Sequence, residues 1–460
     1  MLELEQAVEK ILGAIPAPET ERVPLSEAHR RVVLEKILAP IDLPGFDNSS
    51  VDGYAVRVQD VAGASAQNPV SLPLAGRVAA GEFFQGELPA GQCIRIFTGS
   101  PLPAGADAVV MQEDTKEGRG QNEECRMEKR KAESGNEPGE ITFLDSAKPW
   151  ENVRFRGEDV KSGRTIADAG DVLTAAQIGL LAAMGVAHVE AGERPSVGLV
   201  ATGSELVEAG EIGDSRSSSL RAGQIYESNR AALAPLISGA GGIPTIFSIV
   251  PDEPEATRAA LKRAFSQCDV VVTCGGVSVG EMDFVKSAFE ELGGHLEFWK
   301  VAIKPGRPFV FGSIADGVQS PKSKVQSRGC EAEVQSPRSK VQSRRVHGGG
   351  NEKLLFGLPG NPVSAFVTFL LLVRPALLRW QGAARVDLPS SGGVLTEPLS
   401  NPGGRRHFMR VMVDGEGKVR PAGAQGSHFL SSLALAGGLV DVPPQTTLAT
   451  GSAVRVLCWE

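Results

Sequence analysis

From Pro195 to Trp380 the chain alternates two kinds of segment. Short, wholly apolar runs such as "PSVGLVATG", "IPTIFSIV", "DVVVTCGG" and "KLLFGLPG" are one kind. Between them lie "SNRAALAPLISGAG", "EPEATRAALKRAFSQ" and "DFVKSAFEELGG", with helical spacing, and "PVSAFVTFLLLVRPALLRW" closes the block. A strand apolar on both faces must be covered on both sides, and strand–helix alternation supplies that cover. The pattern predicts a doubly wound α/β domain with a parallel sheet, to which "LEFWKVAIKPG" and "RPFVFGSI" add strands.

The 460 residues exceed one ordinary core, and the flanks read differently. Leu4, Val8, Ile11 and Leu12 fall on one helical face near the start. From Asp47 to Asp145, short β-like runs ("GYAVRV", "PVSLPLAGRV", "QCIRIFTG", "ADAVVMQ") are punctuated by Gly and Pro, as in an all-β module. Within it, "KEGRGQNEECRMEKRKAESGNEPGE" is charged and nearly free of apolar side chains, which predicts an exposed loop. "LTAAQIGLLAAMG" reads as a helix; after Leu388, "HFMRVMVDGEGKVRPAG" and "GSAVRVLCW" read as β structure, the former with a DG turn. The expected division is 1–46 with 146–192, 47–145, 193–386 and 387–460.

A net charge of −8 disfavours nucleic acid as a partner, since such binding faces are strongly basic. The six cysteines show neither a CxxC pair nor disulfide-scaffold spacing, which suits reduced thiols. The start is acidic and amphipathic, and the longest apolar run, "AFVTFLLLV", is about half a membrane span. These features predict a cytoplasmic protein with no membrane partner. "VQSPKSKVQS" (318–327) returns as "VQSPRSKVQS" (334–343), a polar ten-residue duplication too short to pack as a repeat, so 315–351 is expected to be a disordered insertion.

In an open α/β sheet, ligands gather outside the carboxyl ends of the strands. There the chain places Ser204 and Glu205, then Asp252, then Gly275, Gly276, Ser278, Gly280, Glu281 and Asp283. Lys300, Lys304, Pro305, Gly306 and Arg307 follow, and then Pro359, Gly360 and Asn361. Glycines let a ligand approach the backbone, and N–H groups opening the next helix favour an anion. The spacing is neither GxGxxG nor a P-loop, and a ligand-free turn is the plain alternative. Two carboxylates about 5 Å apart repel by roughly 3 kcal/mol at an effective dielectric near 20. Convergence of Glu205, Asp252 and Asp283 therefore calls for protonation, lysine pairing or a cation, and Mg²⁺ suits carboxylates beside phosphate. Helix capping is the alternative for any one of these acids.

Nine motifs in order carry a resemblance: "PGFDNSSVDGYAV", "IFTGSPLPAGADAVVMQED", "RFRGEDVKSG", "ATGSEL", "GQIYESN", "CGGVSVGEMDF", "KVAIKPGRP", "GLPGNPVSAF" and "GSHFLSSLALAGGLV". Together they resemble the molybdopterin molybdenumtransferases of the MoeA and gephyrin-E type over nearly the whole chain. The resemblance implies an elongated linking domain, an inserted β domain, an α/β domain of the molybdopterin-binding type and a C-terminal β-barrel. It implies insertion of molybdate into adenylylated molybdopterin with Mg²⁺-dependent release of AMP, in a homodimer. Molybdopterin adenylyltransferase and molybdoenzymes are the implied protein partners.

Carried over by position, the resemblance makes Asp52, Thr98, Asp159, Glu205, Asp252, Asp283, Lys300 and Lys304 catalytic, with Glu205 and Asp283 on Mg²⁺. Gly275, Gly276, Ser278, Gly280, Pro305, Gly306, Arg307, Pro359, Gly360 and Asn361 shape the substrate pocket. Asp52 and Thr98 read equally as turn residues, and Asp159 as a surface acid paired to Arg154 or Arg156. An adenylyltransferase is the nearest rival, but it needs neither the "DNSSVDGYAV" module nor the β tail. A non-catalytic scaffold is a second rival, signalled by loss of pocket acids or lysines, and none is missing.

Overall fold

The computed structural model describes residues 1–117, 139–210, 220–277, 284–315 and 352–459, which form two units. Helix α1 (Leu4–Gly13) opens the larger unit, turning Leu4, Ala7 and Ile11 into its core. The smaller unit spans 36–168 and 175–187. Its sheet contains β1 (Gly53–Val56), β2 (Ser65–Val78), β3 (Cys93–Ile96), β4 (Ala108–Met111), β5 (Thr115–Glu117) and β6 (Glu140–Asp145). The strand order is β4-β1-β3-β2-β6-β5. Both faces of β1 are covered, because Tyr54 and Val56 join one apolar cluster while Ala55 joins another. Two short ladders, Asn48–Ser49 with Val153–Arg154 and Ile37–Leu38 with Thr165–Ala167, and helix α2 (Ala175–Ala183) complete this unit. Most of the charged stretch after Glu117 lies outside the described residues.

The larger unit resumes at His188. In chain order come β7 (Ser196–Ala201), α3 (Asn229–Gly239), β8 (Ile243–Ile246), α4 (Pro254–Gln267), β9 (Val270–Cys274) and α5 (Val285–Glu291). Then follow β10 (His295–Lys300), β11 (Ile303–Lys304), β12 (Pro308–Ala315), β13 (Glu352–Leu358), α6 (Pro362–Thr368) and α7 (Arg374–Trp380). The sheet order is β8-β7-β9-β13-β12-β10. Its strands β7, β8, β9 and β13 are parallel, as their apolar sequences predict. The expectation of an all-parallel sheet is corrected at β12, which runs antiparallel to both neighbours. The stretch between β10 and β12 holds no crossover helix, so the next strand can only turn back.

Between α6 and α7, Phe369–Val373 forms a π-helical turn, and Pro375, which lacks an N–H, follows it. Pro362–Trp380 is the one described helical stretch long and apolar enough to cross a membrane, and 78% of its apolar window is buried in this protein. The tail forms a closed five-stranded barrel of β14 (Ser390–Leu395), β15 (Arg406–Val413), β16 (Lys418–Pro421), β17 (Gly438–Val442) and β18 (Ala453–Leu457), closed by the β15–β17 pairing. Strand β11 joins its rim, with Lys304 opposite His407.

Candidate active site

The first strand of the α/β sheet in the larger unit, β7, has β8 on one side and β9 on the other, so strand order reverses between β7 and β9. The loops leaving β7 and β9 meet there. Thr202 N–H donates to Cys274 O at 3.0 Å. Gly275 and Gly276 have φ of +95° and +65°, and a Cβ on either would stand 2.9 Å from Thr202 Oγ1. Only glycine allows this approach. The β13 loop closes on the same point, since a Cβ on Gly360 would lie 3.7 Å from Gly275 Cα. Ser204 and Asp252 bond reciprocally: Ser204 N–H donates to Asp252 Oδ2 at 2.9 Å, and Asp252 N–H donates to Ser204 Oγ at 3.0 Å. Glu205 is exposed, its Oε2 2.7 Å from where a Cβ on Gly203 would sit. Burial pushes the Cys274 thiol far above its ordinary range, so no thiolate forms beneath these loops.

The structure thus joins Thr202–Ser204, Asp252, Gly275, Gly276 and Gly360 by direct contact. Ser278, Gly280, Glu281 and Asp283 lie outside the described residues. Among the described residues no group of three or more acids, histidines or cysteines is spaced to hold a metal. Glu205 and Asp252 are hard carboxylate donors on two loops joined through Ser204, a donor set that fits Mg²⁺ completed by phosphate oxygens and water.

The lysine-bearing segment is held from several sides. Lys300 O accepts the N–H of Leu2 at 3.1 Å, and Arg405 donates from Nη1 to Ile303 O at 2.9 Å. Gly306, at φ +109°, packs so tightly that a Cβ would stand 2.3 Å from Thr368 Cγ2 at the end of α6. Since α6 begins directly after Asn361, one helix spans from the β13 loop to the Lys304–Gly306 turn. Around His407 stand Lys304, Arg410 and Arg405; burial, then those three charges, drive its pKa down to about 4. Arg307 in turn faces Arg405, whose own pKa is lowered first by burial and then by that charge. Lys304, Arg307 and Arg405 thus gather positive charge at this turn, of the sign an anion would meet.

In the smaller unit, Asp52 and Thr98 are in contact. Thr98 donates to Asp52 Oδ1 from its N–H at 2.8 Å and from its hydroxyl at 2.9 Å. These bonds, with the Arg95 charge as a lesser cause, hold the Asp52 carboxyl below its usual range. Arg95 is stacked between Tyr54 and Phe97, 4.8 and 5.1 Å from the ring centroids. Asp159 is exposed in the turn after Phe155. Arg156 pairs with Asp42 at 2.6 Å rather than with Asp159, which narrows the surface-pair alternative.

A separate cavity of about 920 Å³ lies between α1, α7 and the barrel, and none of the sequence-predicted site residues lines it. Sequence reasoning missed Thr202, Asn229, Arg405 and His407. Asn229 and Thr202 lie within quoted motifs, and "RRHFMR" is a conspicuous basic run, so the signal was there without a spatial partner.

Comparison with known proteins decides the family. Residues 2–185 match the family described as MoeA N-terminal region (domain I and II), 198–379 the probable molybdopterin binding domain, and 393–459 the MoeA C-terminal region (domain IV). A molybdopterin molybdenumtransferase from Haemophilus influenzae is 37% identical over 439 residues, covering 94% of this chain and 92% of its relative. The chain belongs to the molybdopterin molybdenumtransferase family. A Bacillus subtilis member is 31% identical, covering 99% of this chain and 93% of the relative. Among solved structures, the molybdopterin biosynthesis moeA protein from Pyrococcus horikoshii OT3 superimposes with a TM-score of 0.71 at 28% identity, covering both chains completely. Membership makes this chain a transferase of molybdenum cofactor biosynthesis.

Proposed function

We propose that the chain inserts molybdate into adenylylated molybdopterin, releasing AMP in a Mg²⁺-dependent reaction. The observation that carries this reading is the meeting of the β7, β9 and β13 loops at the point of strand reversal, coupled through α6 to the cation cluster at Lys304. The Gly275–Gly276 turn, whose missing side chains let a ligand approach the backbone, suits a phosphate, with Pro359, Gly360 and Asn361 as the opposite wall. Lys304, with Lys300 and Arg307 nearby in sequence, holds molybdate or offsets charge on the departing AMP. Glu205 follows Ser204, which is bonded to Asp252, and Glu205 is the described residue assigned to Mg²⁺, Asp283 being the other. When bound, that ion supplies charge neutralisation and polarises the phosphate link. Asp52, fixed by Thr98, and Asp159 are assigned to the same reaction from the smaller unit.

The division into domains, the homodimer and the cytoplasmic location belong to this proposal, as do adenylyltransferase and molybdoenzyme partners. Purified chain incubated with adenylylated molybdopterin should release AMP only when molybdate and Mg²⁺ are both present, and a solution mass should be twice 48.3 kDa. AMP release independent of molybdate would overturn the assignment. Asp283→Asn should slow AMP release in a folded chain; unchanged turnover would remove that residue from the site.

A further inference from the structure

The segment Glu227–Arg230 lies under the ligand loops and touches three of them. Asn229 is 9% exposed, and its Nδ2 donates to Gly360 O at 2.8 Å, which fixes the amide's orientation. Its N–H donates to Glu227 Oε1 at 2.7 Å, and the Arg230 N–H donates to the same oxygen at 3.0 Å. Arg230 Nε reaches Glu227 Oε2 at 3.0 Å, and Nη2 reaches Glu208 Oε1 at 2.7 Å. Its Nη1 donates to Phe247 O. Glu208 follows Glu205 by three residues, Phe247 directly follows β8 on the approach to Asp252, and Gly360 is in the turn after β13. One four-residue segment therefore holds the backs of the Glu205, Asp252 and Pro359–Asn361 loops.

Both partners of the Glu227–Arg230 pair have side chains only 3% exposed. A buried ion pair is weak support for stability, because desolvation consumes much of its attraction. Burial alone draws Arg230 down, yet the carboxylates of Glu208 and Glu227 hold it above its ordinary value. Arg230 keeps its charge, and its fork stays directed at the two carboxylates. Among the described residues, Asn229 Oδ1 and Thr202 Oγ1 are buried without a hydrogen-bond partner.

We infer that Asn229, Glu227 and Arg230 are positioning residues that set the spacing of the substrate loops. The inference rests on the proposed molybdate-insertion reading for its kinetic arm only. Asn229→Ala removes the link to Gly360; the expected result is about a tenfold rise in KM for adenylylated molybdopterin with kcat within about twofold, as one lost hydrogen bond allows. Hydrogen exchange at 360–364 should accelerate in the same variant whether or not the enzyme turns over. Asn229→Asp keeps the volume and loses the donor, so it should reproduce both changes and serves if the alanine variant does not fold. Arg230→Lys keeps the charge without the planar fork and should give a smaller KM rise. Unchanged exchange at 360–364 would overturn the brace. Faster exchange with an unchanged KM would overturn its role in substrate placement. A wild-type chain without molybdate-dependent AMP release would instead defeat the reaction assignment, leaving the exchange result to stand.

Discussion

His407 shows how one side chain reports on the charge around it. It is 2% exposed, both ring nitrogens lack partners among the described residues, and burial with the Lys304, Arg410 and Arg405 charges pushes its pKa to about 4. The unfolded chain takes up the proton near the ordinary value of about 6.5, so it binds more protons than the folded one between those limits. The stability contribution is fully present above about pH 6.5 and is lost as pH falls through about 4, with a slope up to roughly 1.4 kcal/mol per pH unit. His407→Gln should therefore lose less stability between pH 7 and pH 5 than the wild type in chemical denaturation. Parallel losses would disprove the assignment. Lys304→Met removes a neighbouring cation, so it should shrink the acid-dependent loss and, by the proposed role, raise the molybdate concentration needed for half-maximal rate about tenfold or more. An unchanged molybdate response would take Lys304 out of the anion locus.

Between elements, two close approaches decide what the motifs mean. A Cβ on Gly53 would lie 2.0 Å from Val110 O, so the glycine after Asp52 lets β1 lie against β4 and leaves Asp52 at the strand's mouth beside Thr98. Gly306→Ala would place a methyl 2.3 Å from Thr368 Cγ2 at φ +109°, and it should destabilise by about 2 kcal/mol or more. Because that contact joins the Lys304 turn to α6, molybdate response should worsen in whatever fraction remains folded; a variant with wild-type stability and kinetics would refute the coupling. The parallel strands were legible because their apolar runs have no polar face to present. The reversal at β12 was not, since "RPFVFGSI" is as apolar as its parallel neighbours and only the short connection from β10 sets its direction. Likewise "LEFWKVAIKPG" reads as one strand, whereas β10 ends at Lys300 and β11 leaves the sheet for the barrel rim. Local pattern fixes an element's faces, while its partner is a long-range choice.

Across the molecule, the duplicated segment at 318–343 lies only 16 residues from Pro359 in sequence, which suggests interference with the substrate loops. The sheet argues otherwise. Strands β12 and β13 are antiparallel neighbours with Ala315 opposite Glu352, so the intervening chain joins the sheet at the amino end of β13. Pro359–Asn361 leaves the carboxyl end of that strand, seven residues further on and about 20 Å away at roughly 3.3 Å per residue. Ala315 and Glu352, the described ends of the insertion, therefore lie at the end of the sheet opposite the loops that meet at Gly275 and Gly360. Excising 318–343 should leave KM for adenylylated molybdopterin, the molybdate response and kcat within about twofold of the full chain, the range expected when no transition-state or binding contact is removed. A folded deletion variant with KM raised tenfold would mean that the segment reaches the loops despite where its ends are anchored. The connection between Ala315 and Glu352 is thus one that the loops leaving β7, β9 and β13 do not share.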